Sequence, residues 1–250
     1  MPDILSSLAS LPGLGWIAFA AFISGLVRGF TGFGTALVFL PVAAQFLPPF
    51  AAILTLTFMD LLSPLPVLKP AWRDADKADL RRLLIGTAIT LPVGLAVLAL
   101  VPRDVFRFGV SGLALAMLLA LILGLRYRGV IKSAMVYAIG CAAGFLGGAV
   151  GLPGPPVIMF YMARPLPPQV IRANTLLYLF GYDLMIMTAI AAFGRMQLEW
   201  AVLGLLMGIP GMLGNWLGGR LFRPGLEKVY RAAAYSVIAA SAVSGLPFWS

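Results

Sequence analysis

The chain has 250 residues, 61% of them hydrophobic and only 11% charged, and its 18 Lys and Arg outnumber its 9 Asp and Glu. A charged fraction about half that of a soluble domain, with a mean hydropathy of +0.98, excludes both a water-soluble globule and a disordered chain. With no His and one Cys, disulfide frameworks, zinc sites built from several cysteines or from Cys with His, haem attachment through CxxC and every His-dependent triad are excluded as well.

The first dozen residues, MPDILSSLASLP, carry no basic n-region, so a cleaved signal peptide is not expected and the mature chain should begin at or near Met1. Ten apolar segments follow: Leu14 to Phe30, Phe33 to Leu47, Phe50 to Leu68, Leu83 to Val101, Val105 to Leu125, Ser133 to Val150, Pro155 to Ala163, Ile171 to Gly194, Trp200 to Gly218 and Val229 to Pro247. This texture is that of an all-α, polytopic helical membrane bundle. A helix rises about 1.5 Å per residue against a hydrocarbon core about 30 Å thick. Phe33 to Leu47 therefore barely crosses and Pro155 to Ala163 cannot, and both are expected as half-helices.

The basic excess is read as orientation by cytoplasmic Lys and Arg, not as a nucleic-acid surface, which needs clustered cations on a soluble face. One long polar connection runs from Lys69 to Arg82 and carries Lys69, Arg73, Lys77, Arg81 and Arg82. Placing it inside puts Arg126, Arg128, Lys132, Arg164, Arg172, Arg220, Arg223, Lys228 and Arg231 inside too, 14 in all, against 3 outside, Arg103, Arg107 and Arg195. Both termini are then expected outside. Trp72, Trp200, Trp216 and Trp249 fall near segment ends, as interfacial rings do.

An offset of 119 residues aligns Gly25, Gly29, Gly32, Val38, Ala44, Leu47, Pro48 and Pro49 with Gly144, Gly148, Gly151, Val157, Ala163, Leu166, Pro167 and Pro168. Eight identities in 25 positions, ending on a shared Leu-Pro-Pro, indicate an internal duplication into 1–125 and 126–250 within one membrane domain. In the orientation above the two repeats are inverted, each opening with a broken or re-entrant hairpin, which is a secondary-transporter plan. For Gly25, Gly29, Gly144 and Gly148 the alternative is close helix packing. Gly29-Phe-Thr31-Gly32-Phe-Gly34 and Gly147-Gly-Ala-Val-Gly151-Leu-Pro-Gly154-Pro-Pro cannot continue as regular helix. Broken backbone at membrane depth belongs inside protein or along a wet cavity. Half-helices starting near Thr35 and Pro156 would offer N–H groups to an anion, although Pro155 and Pro156 weaken the second end as a donor.

Gly25-x-x-x-Gly29-x-x-Gly32-x-Gly34 running into Pro41, repeated from Gly144 to Pro156 in a chain of this length, resembles the sulfite exporter TauE/SafE family of membrane anion transporters. The resemblance implies a bacterial inner-membrane protein that exports or takes up sulfite, sulfonates or related sulfur-containing anions. Thr35 stands where many members have a further glycine, and the second copy reads Leu-Pro-Gly-Pro-Pro in place of a plain glycine cluster.

Three charged residues lie well inside apolar segments: Arg28, Asp60 and Asp183. Each costs about 2.5–3.5 kcal/mol on insertion scales, so each should face a cavity or a partner. Asp60 and Asp183 are 123 residues apart, within about one helical turn of the repeat offset, and so lie on equivalent faces. Two readings stand: an ion pair between Arg28 and one Asp that holds helices together, or an anion ligand at Arg28 with proton or cation coupling at Asp60 and Asp183. Around these the expected substrate site comprises Arg28, Gly29, Thr31, Gly32, Gly34 and Thr35 of the first break, Gly151 and Gly154 of the second, and Asn174, Thr175 and Tyr178 on the following helix. Thr55, Thr57 and Tyr182 could add hydrogen bonds, although any one of these polar residues also serves as an interhelical contact. Arg164 and Arg172 either set topology or attract anions from the cytoplasm, and Cys141 reads as a packing residue.

The expected function is secondary transport of a small anion by alternating access. An anion channel or a structural membrane subunit is the alternative, and an intramembrane enzyme lacks a recognisable catalytic set. No cofactor or metal is expected. Expected partners are the anion, the bilayer and a coupling proton or cation, with a homodimer left open.

Overall fold

The computed structural model describes residues 2–124, 132–221 and 227–248, most of which are helical, and contains no strand among them. Its helices are α1 (Pro2–Ala9), α2 (Leu14–Thr31), α3 (Thr35–Phe46), α4 (Pro49–Leu61), α5 (Leu68–Asp74), α6 (Lys77–Leu100), α7 (Arg103–Ile122), α8 (Ser133–Val150), α9 (Gly154–Met162), α10 (Pro168–Ala192), α11 (Leu198–Leu221) and α12 (Glu227–Gly245), with a 3-10 turn at Leu65–Val67. Among these, α2, α6, α7, α8, α10 and α11 are long and apolar enough to cross a membrane. The half-helices are present: α3 has 12 residues and α9 has 9, about 18 and 14 Å at helical rise, well short of the hydrocarbon core. Helix starts recur at the repeat offset, Leu14 with Ser133, Thr35 with Gly154 and Pro49 with Pro168, each pair 119 residues apart.

Three expectations change. The segment Phe50 to Leu68 is not one span: α4 stops at Leu61, because Pro64 and Pro66 remove donors and bias their predecessors away from helix. The polar stretch from Lys69 to Arg82 is not a loop but α5 and the first turns of α6. Asp76 starts α6 by accepting the N–H groups of Ala78 and Asp79 at 3.0 and 3.1 Å, the side-chain cap that begins a helix. Finally, α1 precedes the first apolar segment. Arg126, Arg128, Arg223 and Trp249 lie outside the described residues.

By contacts the chain forms two compact units, Met1–Ser63, Pro102–Leu118 and Gln197–Ser250 in one, Pro64–Val101 and Leu119–Met196 in the other. Each draws helices from both halves of the sequence. In the first unit α2 packs along α11, and a Cβ at Gly25 would overlap the Gly211 carbonyl, at Gly29 the Asn215 carbonyl and at Gly214 the Phe22 carbonyl. In the second unit α8 packs along α6 in the same manner, with Gly140 against Leu83, Gly144 against Thr87 and Gly148 against Leu91. Backbones this close are characteristic of small-residue helix pairs in membranes. Arg107, 7% exposed, donates from Nε to the carbonyl of Gly245 at 3.3 Å, and Arg103 donates to that of Ala44 at 3.3 Å. These two arginines, which the charge count puts outside, therefore serve the C-terminal ends of α12 and α3, where the helix dipole favours a cation.

Candidate functional site

In the first unit the break after α2 positions a cation. Gly32 takes φ +79° and its N–H donates to the carbonyl of Arg28 at 2.7 Å, ending the helix. Gly34, at φ +102°, starts α3. Both conformations are cheap only for glycine. Between them the Thr31 hydroxyl lies 2.9 Å from the Val27 carbonyl and 2.7 Å from that of Phe33, and accepts the Phe33 N–H at 3.3 Å, so Thr31 braces the turn. The reversal brings the Thr35 hydroxyl 3.4 Å from Arg28 Nη1, while the last turn of α4 presents Asp60, whose Oδ1 is 2.9 Å from the same nitrogen.

Arg28 and Asp60 are 19% and 24% exposed at their side chains, so each offsets the other's cost of burial without being sealed off. Both contacts use Nη1. Among the described residues the Nε and Nη2 edge of the guanidinium has no hydrogen-bond or ion-pair partner, and that edge carries the parallel donors that grip an oxyanion in bidentate fashion. Asn215, Ser63 and Met59 join Arg28, Thr35 and Asp60 around a cavity of about 10 Å³, room for roughly one water molecule. Met59 and Met212 also line this cavity, and methionine side chains repack readily.

The second unit carries a different set. Asn174, fully buried on α10, donates to the Tyr161 hydroxyl at 2.9 Å and to the Asp76 carbonyl at 3.3 Å. The Tyr178 and Thr87 hydroxyls are 2.8 Å apart, and Thr87 donates onward to the Gly140 carbonyl at 3.1 Å, so the phenol supplies the proton between them. Tyr182 donates to the Gly147 carbonyl at 2.9 Å and fills the space a side chain at Gly147 would take. Position 147 is the repeat equivalent of Arg28: where one break carries a cation, the other carries a glycine covered by a tyrosine. Gly151, at φ +73°, ends α8, and Gly154 opens α9 with only Ile158 near its Cβ position. Thr175 and Asp183 are half-buried on α10.

A family model, Sulfite exporter TauE/SafE, matches residues 17–245. The chain belongs to the TauE/SafE family. That family consists of membrane transporters rather than enzymes. No curated protein and no solved structure matches the chain.

In this TauE/SafE chain, then, Arg28, Thr35 and Asp60 come together beside the turn built by Thr31, Gly32 and Gly34, whereas Gly29 is taken up in packing against α11 and Asn174 and Tyr178 in interhelical hydrogen bonds. Of the two carboxylates expected to couple transport, Asp60 sits at the cavity and Asp183 lies in the other unit. Asn215 was missed. Its signal was an amide inside an apolar helix, flanked by Gly214 and Gly218. Asp79, Tyr161 and Thr87 were missed too. Asp79 is 3% exposed, pairs with Arg82 at 3.0 Å and also with Arg164, so Arg164 has a structural partner. Asp79→Ala leaves two half-buried guanidiniums unpaired and is expected to cost about 2–3 kcal/mol, discounted for their exposure. The exposed Asp74→Ala should cost nothing measurable, and thermal melting of the two variants side by side checks both.

Proposed function

We propose that this protein is a secondary transporter that carries a small sulfur-containing oxyanion, of the sulfite or organosulfonate class, together with a proton across the bacterial cytoplasmic membrane by alternating access. The observation that carries the reading is Arg28, held by Asp60 and Thr35 through one nitrogen while its outer edge has no partner among the described residues, at a helix break in an apolar protein. With Asp60 ionised the pair is neutral, and an added anion leaves a net negative charge in a low-dielectric site. Protonating Asp60 removes that charge, so anion and proton load together. Net movement follows the combined gradients. The repeats 1–125 and 126–250, inverted in the membrane, are part of this reading: the recurrence of helix starts supports the duplication, and the Lys and Arg count supports the inversion. Thr31, Gly32 and Gly34 shape the first break, and Gly151 and Gly154 the second.

Thermal melting of the detergent-purified chain against sulfite, a sulfonate, acetate and phosphate at equal ionic strength tests the substrate class. A ligand at about 100 times its Kd adds roughly 2.7 kcal/mol of apparent stability, a shift of several degrees. Sulfite or the sulfonate should produce it and acetate should not. Equal shifts from every anion, or none from either sulfur compound, would count against the assignment.

A further inference from the structure

The second unit has a groove of about 680 Å³ between α5, α6 and α10, within the size range of ligand sites. Leu80 and Leu84 of α6 and Phe180 of α10 give it an apolar floor, with Leu84 packed where a side chain at Gly181 would lie. Its rim is of opposite character. Lys69, Trp72 and Arg73 fall at i, i+3 and i+4 of α5 and so share one helix face. Lys69 and Arg73 are exposed and have no acidic partner among the described residues. Trp72 is 54% exposed, with the Lys77 ammonium 5.3 Å from its ring centre. Asp74, one residue beyond Arg73, points off this face by helical geometry.

We infer that this groove is a binding site for an anionic phospholipid, one acyl chain lying on the leucine and phenylalanine floor and the phosphate resting between Lys69 and Arg73. Charge complementarity selects the occupant. A purely apolar groove in a membrane protein accepts any acyl chain, but two unpaired cations and an interfacial tryptophan at one end of it favour a lipid whose headgroup keeps a net negative charge. Because α5 also packs on α10, which carries Asn174, Tyr178 and Asp183, an occupied groove braces the helix that follows the second break.

The test is lipid titration of the full chain in detergent, read by thermal melting, with phosphatidylglycerol, phosphatidylcholine of the same chains, and glycerophosphate. Phosphatidylglycerol should raise the melting temperature at concentrations where the other two do not. Lys69→Gln/Arg73→Gln should weaken that effect about tenfold or more in lipid concentration, whereas Lys228→Gln/Arg231→Gln, which removes two exposed cations from α12, should leave it unchanged. An equal response to phosphatidylcholine would mean an unselective acyl groove, a response to glycerophosphate alone a free-phosphate site, and an undiminished response in the Lys69/Arg73 variant a site elsewhere; each of these overturns the proposal. It stands or falls independently of which anion is transported.

Discussion

Gly25→Leu and Gly144→Leu should each destabilise the protein by about 3 kcal/mol or more, at the upper end of overpacking costs. At both positions the new side chain meets backbone, the Gly211 carbonyl and Asn215 N–H in one unit and the Thr87 main chain in the other, and a carbonyl on a packed helix cannot rotate away as a flexible side chain does. The helices must separate, which forfeits the contact of α2 with α11 or of α8 with α6 along its length. Gly15→Leu and Gly112→Leu supply the comparison, since nothing lies within 4 Å of a Cβ at either place, and replacing an unpacked helical glycine should be neutral or slightly stabilising. Thermal melting in detergent reads all four variants. Equal melting temperatures across the set would mean that the two helix pairs do not carry the fold.

The second large effect concerns the ion pair. Arg28→Ala alone leaves Asp60 in an apolar site without its counter-charge, and the resulting loss of stability would obscure any loss of binding. Removing both partners in Arg28→Ala/Asp60→Ala avoids that difficulty. The double variant should melt near the parent and show no anion-dependent stabilisation. Arg28→Lys keeps the charge but offers a point ammonium in place of a planar fork, and its anion affinity should fall about tenfold or more. Asp60→Asn removes the charge that an incoming anion must face, so it should bind the anion tightly at every pH, whereas the parent binds more tightly as pH falls and Asp60 takes up a proton. Unaltered anion binding in the double variant would make Arg28 and Asp60 a structural pair and nothing more.

What the sequence made legible follows from how local each signal is. Gly32, Gly34 and Gly151 are needed where they stand because the backbone takes positive φ there, and closely spaced glycines in an apolar run announce such a place without tertiary information. The half-helices followed from segment length alone. By contrast α1 and α5, of 8 and 7 residues, are too short and too polar to produce a membrane signal, and the second was absorbed into a charged linker. Asn215 was hidden for a different reason. It reaches the Arg28 cavity because α11, from the far half of the chain, packs on α2, and helical periodicity carries no information about which long helix will cover a given glycine face. The matching small-residue spacing in Gly214 and Gly218 was the available clue. Asn174 and Tyr178 show the reverse case, polar residues on a plausible face whose side-chain donors are engaged by Tyr161, the Asp76 carbonyl and Thr87.

Anion–proton loading at Arg28 and Asp60 is tested most directly by uptake of a labelled sulfonate, which keeps its charge across the working pH range, into proteoliposomes under a pH gradient. With the parent protein the sulfonate should accumulate when the outside is the more acidic, and accumulation should vanish when the gradient is collapsed. Asp60→Asn should retain exchange of sulfonate across the membrane but lose accumulation, and Arg28→Ala/Asp60→Ala should lose both. Undiminished gradient-driven accumulation in either variant, or parent flux that ignores the pH gradient, would contradict the account.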